Sequence, residues 1–254
     1  MPRAEAGELA RSAWPEIPKA ALVLVPVGST EQHGPHLPLG TDSVIAETVA
    51  RRTARQLTHE HVLLAPCITY GASGEHAGFP GTVSIGHEAL HVLLVETVRS
   101  LSLWAGRVVF VNGHGGNVAT LDAALCQLRD EGHDVAWLGC EIPGGDAHAG
   151  RSETSVMLHL APDDVRLPAA VAGDTRPLAV VLPELMAHGI RAVSPSGVLG
   201  DPAGATAEEG RALLRAMVSA AVRLITEGDV DARGRLVGAG DTPRPAGRRT
   251  AARS

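Results

Sequence analysis

Apolar runs at residues 21–27, 61–65, 107–111 and 134–138 have strand length, and a segment of helical period separates each from the next. Strands alternating with helices predict a parallel sheet. Within residues 43–57, Ala46, Ala50, Ala54 and Leu57 share one face, and Leu90, Leu94, Thr97, Leu101 and Trp104 form the next stripe. Leu121, Leu125 and Leu128 mark a third helix, with Gly132 placed to cap its end. Residues 152–159 predict a short fourth. Thr206 and Glu209 match a capping box that opens a last helix carrying Leu213, Met217, Ala220 and Leu224. The pattern sets a body of residues 20–230. Before it lies an N-terminal extension, 1–19, whose first dozen residues are expected to be loose. After it comes a tail, 231–254, rich in Arg, Gly, Ala and Pro, with almost nothing to bury and expected to be disordered.

A chain of 254 residues suffices for one large α/β domain. A net charge of −6 and six aromatic residues argue against a nucleic-acid partner, since neither a basic footprint nor a stacking platform is available. The single lysine, Lys19, lies outside any glycine-rich loop, which excludes a phosphate-loop lysine. No apolar run approaches the length of a membrane span. Cys67, Cys126 and Cys140 form no CxxC motif and have apolar neighbours. With no secretory signal, they predict buried, reduced thiols in a cytoplasmic protein.

Against that plain background, the first strand runs into "GSTEQHGPHLPLGTD". If the backbone is extended, Glu31 and His33 point the same way, and Pro35 and Pro38 limit the loop. Asp42 alone reads as a helix cap. Together, Glu31, His33 and Asp42 make an N,O ligand set suited to Zn²⁺, Fe²⁺ or Mn²⁺. His36 is either a supporting or an exposed residue. "VVFVNGHGGN" brings His114 to the end of another strand; it lacks the third glycine of a dinucleotide loop, so its glycines are read as allowing a tight turn. "GGDAHAGRSETS" carries His148 and Glu153 near a helix start, where Glu153 is either a first-turn acid or, with Thr154 and Ser155 beside it, an oriented ligand. "YGASGEHAGFPGTVSIG" describes a long ordered loop holding Glu75 and His76.

Taken together with "GVLGDPAGAT", these motifs resemble the creatininase family of metal-dependent amidohydrolases, from about residue 20 to residue 225. Within it the chain is most similar to the branch that serves mycofactocin maturation. The resemblance implies Glu31, His33, Asp42 and His114 as metal ligands, with Asp42 bridging two ions. Creatininase proper has a Glu two residues after the third-motif His. Gly116 stands there in this chain, which argues against creatinine as substrate and makes Glu153 the candidate for the missing ligand.

The expected fold is a three-layer α/β/α domain with a mostly parallel sheet and its site at the carboxyl ends of the strands. The expected activity is metal-dependent hydrolysis of a modified precursor peptide near its C-terminus, releasing a Val-Tyr dipeptide. One or two ions per subunit are expected, Fe²⁺ or Zn²⁺ ahead of Mn²⁺. His148 is the first candidate for moving the proton, with Glu75 and His76 behind it. The family resemblance also implies a homo-oligomer, a hexamer or octamer. Two other readings share the ligands: an amidohydrolase for a small cyclic or formyl amide, and a non-catalytic metal-binding scaffold.

Overall fold

The computed structural model describes residues 7–58 and 61–240. Strands β1 (Gly7–Glu8), β2 (Leu22–Val27), β3 (Val62–Leu64), β4 (Arg107–Asn112) and β5 (Val135–Gly139) form a five-stranded sheet in the order β1-β3-β2-β4-β5. Every neighbouring pair is parallel. The helices are α1 (Thr41–Gln56), α2 (Gly86–Leu101), α3 (Val118–Asp130), α4 (Arg151–Leu160), α5 (Leu178–His188), α6 (Ile190–Val193) and α7 (Ala207–Glu227).

Alternation along the strands builds the layers. Leu22, Leu24, Val109, Val111, Ala136 and Leu138 face one way and pack with residues of α1, α4 and α7. Val23, Val25, Val27, Val108, Phe110 and Trp137 face the other way against α2 and α3. Both faces are covered, so the strands read as unbroken apolar runs in the sequence. The chain lays β3 on one side of β2 and then crosses to β4 on the other. Loops leaving β2 and β4 therefore diverge at a switch point, where an open parallel sheet places a crevice.

The ends of the body differ from the expectation. The first dozen residues are not all loose, because β1 pairs in register with β3, Gly7 with Leu63 and Glu8 with Leu64. The tail does not start at 231: β6 (Asp229–Val230) and β7 (Leu236–Val237) form an antiparallel hairpin. Leu236 is buried in the α1/α4/α7 core, and the Arg235 guanidinium lies 5.1 Å from the centre of the Trp137 ring. The rest of the expected tail, 241–254, lies outside the described residues. Gly132 ends α3 as expected, at φ 90° with its N–H on the Arg129 carbonyl. The α7 box closes by half: Thr206 Oγ1 accepts from the Glu209 N–H, but the Glu209 carboxylate accepts from Arg151 and Ser155 instead. The cysteines are less buried than expected: Cys67 and Cys140 are half-buried and Cys126 is exposed.

No helix among the described residues is long and apolar enough to cross a membrane.

Candidate functional site

The loop from Gly28 to Gly40 folds onto the first turn of α1. A Cβ on Gly28 would fall within 2.5 Å of Ser43 backbone, so glycine permits this approach, and Ser43 Oγ donates to the Ser29 carbonyl. Glu31 and His33 are fully buried and reach the same space as Asp42. Asp42 is not the helix cap: the N-terminal flank of α1 is Gly40, and the Asp42 carboxylate instead accepts from Ser29 Oγ at 2.8 Å. His33 Nε2 lies 3.0 Å from one Asp42 oxygen and His114 Nδ1 lies 3.2 Å from the other. Asp42 thus stands between two imidazoles.

The second strand end supplies His114. A Cβ on Gly113 would fall 2.5 Å from the Asp42 carbonyl oxygen, so glycine lets the β4 turn press against α1. The long loop after β3 contributes His76, whose Nε2 is 3.1 Å from Glu31 Oε1, and Glu75, whose Oε1 is 3.6 Å from His114 Nε2. Gly116 has no room for a side chain: a Cβ there would meet the Ala72 carbonyl, His114 Nε2 and Glu75 Oε1 at 2.4–2.5 Å. The start of α4 adds Glu153, with Oε2 3.9 Å from His33 Nε2. Its carboxylate is oriented by the Ala149 N–H at 2.6 Å, not by the neighbouring hydroxyls, since Thr154 bonds His36 and Ser155 bonds Glu209. His148 precedes that helix, buried, with Nδ1 3.9 Å from Glu31 Oε1. All eight residues expected from the sequence therefore meet at one place.

Burial dominates the electrostatics, and neighbours decide the sign. For His33 burial opposes the charged form, yet Asp42 outweighs it and the pKa is pushed up to about 10. Burial would raise the Asp42 carboxyl, but His33 and His114 hold it well below the usual range. His76 is pushed down to about 4 by burial, and His148 falls well below the ordinary imidazole value through burial and the neighbouring His33 and His76. Burial raises the Glu153 carboxyl to about 7.

Both Glu31 carboxylate oxygens are buried without a hydrogen-bond partner, although His76 and His114 nitrogens lie 3.1 and 3.2 Å away. An unsatisfied buried carboxylate is costly, and a cation would satisfy it. Ligand atoms of Glu31, His33 and Asp42 lie within 4.8 Å of one another, as do those of His33, His148 and Glu153, and of Glu31, His76 and His148. The donor set of imidazole nitrogen and carboxylate oxygen fits a first-row divalent metal. A cleft of about 670 Å³ opens beside Glu153, with Cys140, Ile142, Leu199 and Met217 among its apolar lining and Arg176 at its edge.

Sequence reasoning missed three supports. Ser29 bonds Asp42. His36, whose place was left open, is buried and bonded to Thr154 Oγ1 at 2.8 Å. Gln32, which alternation would turn away from its neighbours, is buried among the histidines because the chain reverses at Gly34, φ 64°.

Residues 10–225 match the family model described as creatininase, creatinine amidohydrolase. Over 218 residues the chain is 53% identical to the mycofactocin precursor peptide peptidase of Mycolicibacterium smegmatis, covering 85% of this chain and 88% of that protein. Two solved creatininases superpose with a TM-score of 0.68: a mutant of the Zn-Zn type, 27% identical over 87% of this chain and 98% of its own, and a Mn form, 28% identical over 86% and 98%.

Proposed function

The chain belongs to the creatininase family of hydrolases, and on that premise we propose a metal-dependent peptidase that cleaves the modified mycofactocin precursor peptide near its C-terminus, releasing a Val-Tyr dipeptide. The observation that carries the metal part is the buried, unpartnered Glu31 carboxylate inside a ring of imidazoles. The identity of 53% to a named precursor peptidase, along 85% of the chain, carries the substrate.

Glu31, His33, Asp42, His114 and Glu153 would hold one or two ions, Fe²⁺ or Zn²⁺ ahead of Mn²⁺. Bound there, the metal supplies Lewis acidity toward a carbonyl oxygen and a source of hydroxide near neutral pH. Asp42 lies between the two ligand groups, hydrogen-bonded to Ser29 so that it cannot swing away. Glu153, on the side of His33, would serve in place of the Glu that creatininase proper carries at the position of Gly116. His148 moves the proton toward the leaving amine; burial keeps it neutral and able to accept one. Glu75 and His76 stand behind it, 3.9 Å apart. The apolar-walled cleft beside Glu153 suits the side chains of a dipeptide such as Val-Tyr.

The assembly is read as a homo-oligomer, a hexamer or octamer, in the cytoplasm. Exposed Val180, Leu182 and Met186 on α5 support a surface between subunits. Incubating the metal-loaded protein with the modified precursor tests the reading: mass spectrometry should find a released dipeptide and a shortened peptide, both lost on chelation. Turnover of a small cyclic or formyl amide with the peptide left intact would move the function to the amidohydrolase alternative. Metal bound without turnover of either would favour the scaffold.

A further inference from the structure

Gln32 sits between two histidines, and counting its hydrogens decides where theirs are. Its amide has one possible orientation. Oε1 accepts from the Gly34 N–H at 2.9 Å, while Nε2 donates to the Gly197 carbonyl at 3.0 Å. Exchanging oxygen and nitrogen would set donor against donor and acceptor against acceptor. Both glycines have left-handed backbone, φ 64° and 81°, and a Cβ on Gly197 would fall 1.9 Å from Gln32 Oε1, so the cradle is built for this side chain.

A primary amide carries two N–H hydrogens. Besides the Gly197 carbonyl, Nε2 has two neighbours, His76 Nδ1 at 2.9 Å and His148 Nε2 at 3.1 Å. The His148 nitrogen is already committed, because it lies 2.8 Å from the Gln32 backbone carbonyl and must carry a proton to bond it. The second amide hydrogen therefore goes to His76 Nδ1, which accepts it as a bare nitrogen. The His76 proton is then on Nε2, the nitrogen beside Glu31. His148 is fixed in the opposite sense with respect to the site: its proton points out to the loop, and bare Nδ1 faces Glu31.

We propose that Gln32 is a positioning residue that sets both tautomers, so that His76 offers the site a hydrogen-bond donor and His148 offers it a lone pair. One consequence is that His76 Nε2, bearing a proton, is not a metal ligand, although its distance to Glu31 and His148 would allow it. A second is that the proton-accepting role falls to His148 and a donor role toward developing oxygen charge to His76. The assignment rests on the metal-hydrolase reading for its purpose, but not for its geometry.

The test uses zinc-loaded protein labelled with ¹⁵N-histidine, with His76→Gln and His148→Gln variants to identify the signals. Two-bond ¹⁵N–¹H correlation spectra should place the proton on Nε2 in both rings and leave His76 Nδ1 bare. A proton on His76 Nδ1 in the unaltered protein overturns the proposal, and no substrate is needed to learn this. In Gln32→Met, which keeps the length and removes the donor, His76 should lose its single-tautomer signature. Its kcat, on whichever amide the enzyme turns over, should fall about 10-fold, the value of one neutral hydrogen bond, with KM and metal content nearly unchanged. Gln32→Glu should shift the His76 proton to Nδ1, because the carboxylate can only accept. An unchanged His76 spectrum in both variants overturns the proposal. If the precursor is left uncut while the tautomers are as stated, the peptidase reading fails and this one stands.

Discussion

Two clefts of nearly equal size bracket the sheet, about 570 Å³ at the amino ends of the strands and about 670 Å³ at the carboxyl ends. The first is lined by Leu22, Leu57, Ile225 and Thr226, and its two charged residues, Arg107 and Asp134, face each other at 3.5 Å. The second adjoins Glu153, and behind it lie five buried histidines and two buried carboxylates. Volume does not separate them. Strand direction does, since loops leaving β2 and β4 diverge only at the carboxyl end and can carry polar groups inward without interrupting a strand. Each end holds a buried polar atom without a hydrogen bond, Arg107 Nε at the amino end and both Glu31 oxygens at the carboxyl end, but Arg107 faces one largely exposed carboxylate while Glu31 is closed in by the His76 and His114 imidazoles.

If that contrast is functional, the largest effect belongs to Asp42. Asp42→Ala removes the group shared by His33, His114 and Ser29. Metal affinity should fall by more than the roughly 10–100-fold that outer partners of a metal site contribute, and turnover should vanish with it. Elemental analysis after dialysis checks this; full metal content would make the two clefts chemically alike. His148→Ala comes next, with metal and fold kept and turnover reduced about 10²–10⁴-fold. Near-normal turnover per folded molecule would pass the proton role to Glu75.

Gly116→Ala sharpens the contrast with creatininase proper. The added Cβ meets the Ala72 carbonyl, His114 and Glu75 at once, and only the Glu75 side chain is free to give way. A loss of about 1–3 kcal/mol in unfolding free energy is expected, read from denaturant midpoints, with weakened metal binding through His114. A fully stable, fully loaded variant would mean that the position has room for a ligand after all.

Most of this was legible in the sequence where one residue does one job. β2 and β4 are buried on both faces, so apolar runs marked them, and Glu31, His33, Asp42 and His114 stood at the ends of those runs. Legibility failed where distant partners decide. β1 has two residues, too few for a pattern, and exists because β3 offers a free edge. Leu236 stands among Arg and Gly, and its burial depends on a core assembled by α1, α4 and α7. α5 carries Pro183 inside it, which reads as a breaker. Gln32 drew no reading between Glu31 and His33, because its partner Gly197 lies 165 residues away.

The smallest expected effect is the control at the other end of the sheet. Arg107 Nε lies 3.5 Å from Asp134, and Nη1 donates weakly to the Ile225 carbonyl at 3.5 Å. Asp134 is largely exposed, so water screens the pair. Exposed pairs of this kind contribute about 0.2–1 kcal/mol, and the aliphatic stem of the arginine adds some packing over the end of α7. Arg107→Ala should therefore lower stability by about 1 kcal/mol at most, with metal content and turnover unchanged. The same cleft volume would then be shown to tolerate loss of its one cation while the carboxyl end does not tolerate loss of Asp42. A drop in turnover beyond the folded fraction would mean that the amino-end cleft acts on the site through the β4 strand, and the division of the sheet into a structural end and a chemical end would have to be abandoned.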